Sequence, residues 1–165
     1  VADYWEQILI INKHQRDRFS KKISDCIKKN NLEPKVLLLG WAFKKNTNDT
    51  RESASIYVAN NLLNKNIGVE IYDPKVTKNQ IKFDLSNLNP DYNKSLVNYV
   101  NEPFSNISSY NLIAILTEWD EFIEYDWQSL YKKIKKPAYI FDGRNILNEK
   151  KIKNIGFNYL GLGRN

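Results

Sequence analysis

Val36-Leu37-Leu38-Leu39-Gly40-Trp41-Ala42-Phe43-Lys44-Lys45-Asn46-Thr47-Asn48-Asp49-Thr50-Arg51-Glu52-Ser53 is the stretch from which the fold can be read. Its opening run is continuously apolar and stops at Gly40, as strands buried on both faces of a parallel sheet do. A polar loop follows and leads into Ala54 to Asn64, a helical stretch. The same alternation continues downstream. Strand candidates are Val69 to Tyr72, Leu96 to Val100, Leu112 to Leu116, Tyr139 to Phe141 and Phe157 to Leu160, and helical stretches are Pro103 to Ser108, Asp120 to Ile134 and Asn148 to Asn154. Gln80 to Leu85 reads as a short extended segment and Ser86 to Lys94 as loop. Strands alternating with helices predict an α/β fold, a Rossmann-like parallel sheet covered by helices on both faces.

Upstream, Asp3 to Lys29 lacks Gly and Pro and sets Ile8, Ile11, Gln15, Phe19, Ile23 and Ile27 at helical spacing. That is a helix of about seven turns, long for a small domain, and its aromatic start at Tyr4 and Trp5 predicts packing against something beyond its own domain. The expected organisation is a linker or dimerisation helix over 1–32 and a Rossmann-like domain over 35–165.

Of the 165 residues 42% are hydrophobic, enough for one core plus an appendage. A net charge of +6 suits an anionic ligand: nucleic acid, a phospholipid surface or a phosphorylated small molecule. Cys26 is the single cysteine and no signal-peptide pattern opens the chain, which predicts a reducing, cytoplasmic setting. No apolar run approaches the roughly 18 residues needed to cross a bilayer, so no membrane partner is expected. A start at Val1 and the lack of any methionine fit a fragment of a longer protein.

Ligands of open parallel sheets sit beyond the carboxyl ends of the strands. The first such tip lacks G-x-G-x-x-G, because Trp41 follows Gly40, and so argues against dinucleotide clamping there. Lys44, Lys45 and Arg51 lie in a polar loop before a helix whose start is marked by Asp49, Ser53 and an Asp-x-x-Glu pattern through Glu52. Cations at a helix start make an anion site, although pattern alone does not separate such a site from solvated surface charge. Arg144, between Gly143 and Asn145, offers a planar fork for a phosphate or ribose, or else a turn arginine paired with Asp142. Asp73, before Pro74, reads as a turn opener rather than a ribose ligand. Cys26 falls on the apolar helical stripe and reads as core, and His14 is the only histidine and reads as exposed. Trp41 is given no role beyond packing. No catalytic residue and no metal site is expected in this chain.

The segment from Leu38 to Ser53 resembles the "LG-aromatic-AFKK-x-T-x-DTRES" signature of the UDP-glucose 6-dehydrogenase family. Ile71 to Val76 resembles the family's "IYDPKV", Thr117-Glu118-Trp119 its "TEW", Phe141 to Arg144 its "FDGR", and Tyr4-Trp5 with Asn12 to Phe19 its linker helix. The resemblance implies oxidation of UDP-glucose to UDP-glucuronate with two NAD. It implies a catalytic cysteine, lysine and aspartate that precede the linker helix, in an N-terminal NAD-binding domain absent from this chain, so that the fragment alone is inactive. It further implies that Phe43, Lys44 and Arg144 contact the nucleotide sugar and that Arg51 reaches the NAD from across the cleft. A homo-oligomer formed through the long helix follows from it too. It favours function for Lys44 and Arg144 and leaves Lys45 open. Departures are Trp41 where Phe is common, Asn46 and Asn48 where Asp and Gly are common, and Asn145 where some members have Arg; Asn48 bears on the backbone, because Gly adopts positive φ freely. Rival readings are a dehydrogenase of GDP-mannose or a UDP-N-acetylhexosamine, a helix-only assembly domain, and a basic nucleic-acid module. Against the last, the lysines are scattered and no nucleic-acid motif accompanies them, so no nucleic-acid partner is expected.

Overall fold

Helix α1 (Ala2–Lys29) opens the chain in the computed structural model, which describes residues 1–163. Only its second half is buried, through Phe19, Ser20, Ile23 and Ile27. The next elements are β1 (Lys35–Leu39), α2 (Ala54–Leu63), β2 (Gly68–Tyr72), α3 (Lys78–Leu88) and β3 (Val97–Tyr99). They are followed by β4 (Leu112–Ile115), α4 (Asp120–Glu124), α5 (Trp127–Lys133), β5 (Tyr139–Asp142), α6 (Glu149–Ile155) and β6 (Asn158–Gly161).

All six strands are parallel, in the order β3-β2-β1-β4-β5-β6. The central pair explains itself: Val36 to Leu39 and Leu112 to Ile115 are sealed from solvent, as strands covered on both faces must be. Leu38 registers with Ile71 on one side and Ala114 on the other. From β1 the strand order runs outward both ways, so the switch point at which open parallel sheets bind ligands lies at the tips of β1 and β4.

Helix starts are set by side-chain caps: Ser53 for α2, Thr77 for α3, Asp126 for α5 and Asn148 for α6. Helix α6 ends at Gly156, whose φ of 127° and lack of a side chain admit the Tyr131 ring. Helix α1 lies on α2, where Asn61 donates to Asp17 at 3.0 Å and the Arg16 guanidinium sits 3.7 Å over the Tyr57 ring. Phe19 meets Phe141 edge-on, which seats α1 against the sheet. Tyr4, Trp5, Leu9, Ile10 and Ile11 in the first half of α1 are exposed.

The architecture matches the expectation of a Rossmann-like parallel sheet after a long helix; the last two positions of the 35–165 stretch lie outside the described residues. Several elements differ. Gln80 to Leu85 is not extended but belongs to α3, since Thr77 caps the Gln80 N–H and Ile81 and Leu85 bury one face. That helix also takes Ser86 to Leu88 from the expected loop. Asp120 to Ile134 is not one helix: it breaks at Tyr125, and Asp126 starts a second by accepting the Ser129 N–H. Pro103 to Ser108 holds no α-helix, only the start of a 3-10 turn at Ile107–Ser109.

Candidate functional site

The loop after β1 is shaped by its own backbone and by one carboxylate. The Phe43 N–H donates to the Asp49 carbonyl at 2.7 Å and closes the loop, and Asn46 supplies a positive φ of 62°. Asn48, expected to be the sensitive position, is not among the positive-φ residues, so its backbone makes no demand for a glycine. At the base, Asp73 Oδ2 accepts the Trp41 N–H at 2.7 Å, the Ala42 N–H at 2.9 Å and the Trp119 indole N–H at 3.1 Å. Its Oδ1 accepts the Lys75 and Val76 N–H groups, so Asp73 is a turn carboxylate, saturated by protein donors and not offered to a ribose. Trp41 does more than pack: its indole N–H donates to Asp84 of α3 at 2.9 Å.

The tips of β1, β4 and β5 are tied together. Gly40 has φ 99°, and a Cβ there would stand 2.5 Å from Thr117, so β1 can turn away from β4 only at a glycine. Thr117 Oγ1 donates to the Ala42 carbonyl at 2.7 Å. Arg144, just past β5, donates from Nε to the Leu116 carbonyl at 3.0 Å and from Nη2 to the Phe43 carbonyl at 2.8 Å. Its Nε also lies 3.4 Å from Glu118. The Asp142 carboxylate, expected as an alternative partner, accepts instead the N–H groups of Arg144 and Leu147 and the Tyr159 hydroxyl. Arg144 therefore spans three strand tips with one edge of its guanidinium and stands one-third exposed.

The cations divide. Lys45 turns to Asp120, 3.0 Å away, while Phe43 and Lys44 are exposed on the loop. The Arg51 side chain is 88% exposed and grips Asp49 at 2.7 Å. The expected capping role of Asp49 and Glu52 is not seen: Ser53 caps α2, and Glu52 sits at φ 58° and accepts the Tyr57 hydroxyl. Hydrogen bonds from the Arg51 side chain and then its N–H hold the Asp49 carboxyl at about 2. Because this folded value lies below the unfolded one, the pair's contribution is present above the ordinary carboxylate range and is lost as pH falls toward 2. Arg51→Ala is expected to return the Asp49 midpoint toward the ordinary range, checked by following the Asp49 carboxyl carbon by NMR through an acid titration.

Sequence reasoning singled out Phe43, Lys44, Arg51 and Arg144, and the structure brings Phe43 and Arg144 into direct contact with Lys44 adjoining, while Arg51 is engaged by Asp49. It missed Asp73 as the loop's anchor and gave Glu118 no role. The signal was there, in that Asp73 precedes a proline turn and Glu118 lies just past the tip of a buried strand. At the β2 tip, burial and then the Glu121 carboxylate push the Tyr72 phenol up to about 12, which keeps it a donor to Glu121 at 2.9 Å. Cys26 is half-buried and its thiol is pushed up by burial, the opposite of an activated nucleophile. His14 is exposed on α1. No group of three metal-ligating side chains occurs among the described residues.

Residues 37–149 match the family described as "UDP-glucose/GDP-mannose dehydrogenase family, UDP binding domain". The chain is 40% identical over 168 residues to the UDP-glucose 6-dehydrogenase of Drosophila melanogaster, covering 99% of this chain and 35% of that protein. Against the UDP-glucose 6-dehydrogenase of Gallus gallus the identity is 41% over 169 residues, with 99% and 34% covered. Among solved structures, the UDP-D-ManNAc dehydrogenase of Pyrococcus horikoshii superposes with a TM-score of 0.67 at 26% identity, over 90% of this chain and 31% of that one. The chain thus spans about a third of the length of the curated relatives it matches. The matched stretch holds the end of β1, the loop carrying Lys44 and Arg51, and the three tied strand tips, and by that match this chain belongs to the UDP-glucose/GDP-mannose dehydrogenase family.

Proposed function

We propose that this chain is the UDP-sugar-binding part of an NAD-dependent UDP-glucose 6-dehydrogenase, in which a preceding NAD-binding domain supplies the nucleophilic cysteine and its lysine and aspartate. The whole enzyme would oxidise the C6 hydroxyl of UDP-glucose twice, giving UDP-glucuronate and reducing two NAD, in the cytoplasm. The observation that carries the reading is the strand-tip assembly in which Arg144 grips the Phe43 carbonyl while Lys44 stands exposed beside it. In this reading Phe43, Lys44 and Arg144 hold the nucleotide sugar by its diphosphate and sugar.

The residues present do not form a dinucleotide cradle: a fully buried Trp41 occupies the turn after β1, and its N–H is taken by Asp73. NAD therefore belongs mainly to the preceding domain, with Arg51, exposed on the loop, as this chain's contribution from across the cleft. NAD, when bound, supplies hydride acceptance. The exposed apolar first half of α1 supports its role as a linker that contacts the preceding domain or a second copy.

Calorimetric titration of the chain with UDP, GDP and a short RNA at two salt concentrations tests the reading. UDP is expected to bind with a defined stoichiometry and more tightly than GDP. RNA binding through phosphates would fall steeply with salt, by roughly a thousandfold or more between about 50 and 200 mM for several contacts. RNA tighter than UDP at low salt, with that dependence, would return the +6 charge to a nucleic-acid role. GDP tighter than UDP would move the substrate to a GDP-sugar. No NADH is expected from UDP-glucose and NAD with this chain alone, because no activated nucleophile is present among the described residues.

A further inference from the structure

We propose that Glu118 is a positioning residue of the anion site: it locks the backbone on the far side of Lys44 so that the exposed ammonium and the Arg144 fork face one ligand. The proposal rests on the reading of Lys44 and Arg144 as phosphate-binding. Glu118 follows Thr117 directly at the β4 tip and is partly buried. Its Oε1 accepts the Lys45 N–H at 3.0 Å, and its Oε2 lies 3.4 Å from Arg144 Nε. Arg144 in turn holds the Phe43 carbonyl at 2.8 Å. The two residues flanking Lys44 are thus each tied at one backbone group, Phe43 through its carbonyl and Lys45 through its amide. Between them Lys44 keeps its side chain exposed.

The charge of Glu118 argues that its contribution is geometric. A carboxylate beside a phosphate site repels the ligand, so by charge alone its removal tightens binding. A preorganised loop has the opposite effect, because an untied turn must be ordered when the ligand arrives. The two roles therefore predict opposite signs for Glu118→Ala. They agree for Glu118→Gln, which keeps an oxygen for the Lys45 N–H and loses the charge. Lys45 is excluded as the recipient of this arrangement, since its ammonium is engaged by Asp120 at 3.0 Å.

The test uses the chain with E118A and E118Q, probed with UDP and with inorganic pyrophosphate by calorimetry, and with amide hydrogen exchange in the absence of ligand. E118A is expected to bind both probes at least about fivefold more weakly than wild type despite the lost negative charge. It should also speed exchange of the Lys45 amide by about tenfold or more. E118Q is expected to restore both, binding as tightly as wild type or more tightly. E118A that binds UDP as tightly as wild type or better would overturn the proposal and leave Glu118 an opposing spectator charge. If wild type itself bound neither probe, the phosphate reading would fail by that result alone, and unchanged Lys45 exchange in E118A would separately refute the positioning of the turn.

Discussion

Asp73→Ala is expected to lower folding stability by on the order of 3–5 kcal/mol. Five protein donors converge on this carboxylate, and three of them belong to Trp41, Ala42 and Trp119, which are buried. Removing the acceptor leaves the Trp41 and Ala42 N–H groups without a partner where water does not reach, at roughly 1–3 kcal/mol each. The loss then spreads, because Trp41 also holds Asp84 of α3 and the loop above it carries Phe43 and Lys44. Asp73→Asn keeps one full acceptor oxygen and should fall between the two. Urea unfolding curves measure the effect. A change below about 1 kcal/mol in Asp73→Ala would mean that the backbone donors find other partners and that the loop is not anchored there.

Arg144→Lys keeps the positive charge and is nonetheless expected to weaken UDP binding by about tenfold, with Arg144→Ala weaker still. One edge of the guanidinium spans the Leu116 and Phe43 carbonyls, which belong to different strand tips. An ammonium is a point donor and cannot hold both and still face a diphosphate. Lys44→Ala should cause a similar loss through a different route, since charge-assisted hydrogen bonds contribute roughly 1.5–3 kcal/mol each. The two variants separate on unfolding: Lys44 is exposed, so its removal leaves stability unchanged, whereas Arg144→Ala unties the tips and lowers the melting temperature. UDP titration beside thermal unfolding checks both. In the enzyme with its preceding domain, the same losses should appear in UDP-glucose use. Wild-type affinity in all three variants would return these cations to solvated surface charge.

The sheet was legible because parallel strands buried on both faces must be continuously apolar, and Val36 to Leu39 and Leu112 to Ile115 leave no other reading. Helix α3 was not, because Ile81, Phe83 and Leu85 alternate with polar residues at the strand period of two, whereas in the helix only Ile81 and Leu85 are buried and Phe83 is exposed. The break between α4 and α5 was hidden for a related reason. Tyr125 is an ordinary helix residue by composition, and only the packing of its ring against Phe104 and Trp127 shows why the chain turns there. At the site, the cations were visible as residue types at strand ends. Which cation is paired depends on Asp49, two residues before Arg51, and on Asp120 and Glu118, which join their partners from up to 75 positions away where no local pattern connects them.

Helix α1 is one continuous run of hydrogen bonds, yet its buried residues all lie in its second half. A helical segment without a packed face is marginal in water when shorter than about 12–15 residues, and it persists by extending turns already nucleated elsewhere. The stretch from Phe19 to Ile27 supplies that nucleus, so the melting of the helix is graded: amides near Trp5 open by fraying, while those near Ile23 open only with the whole sheet. Anything that covers Trp5, Leu9 and Ile10 joins the first half to the cooperative unit of the second. The outer turns of α1 thus act as a gauge of neighbours, and their exchange rate reads whether the face is covered.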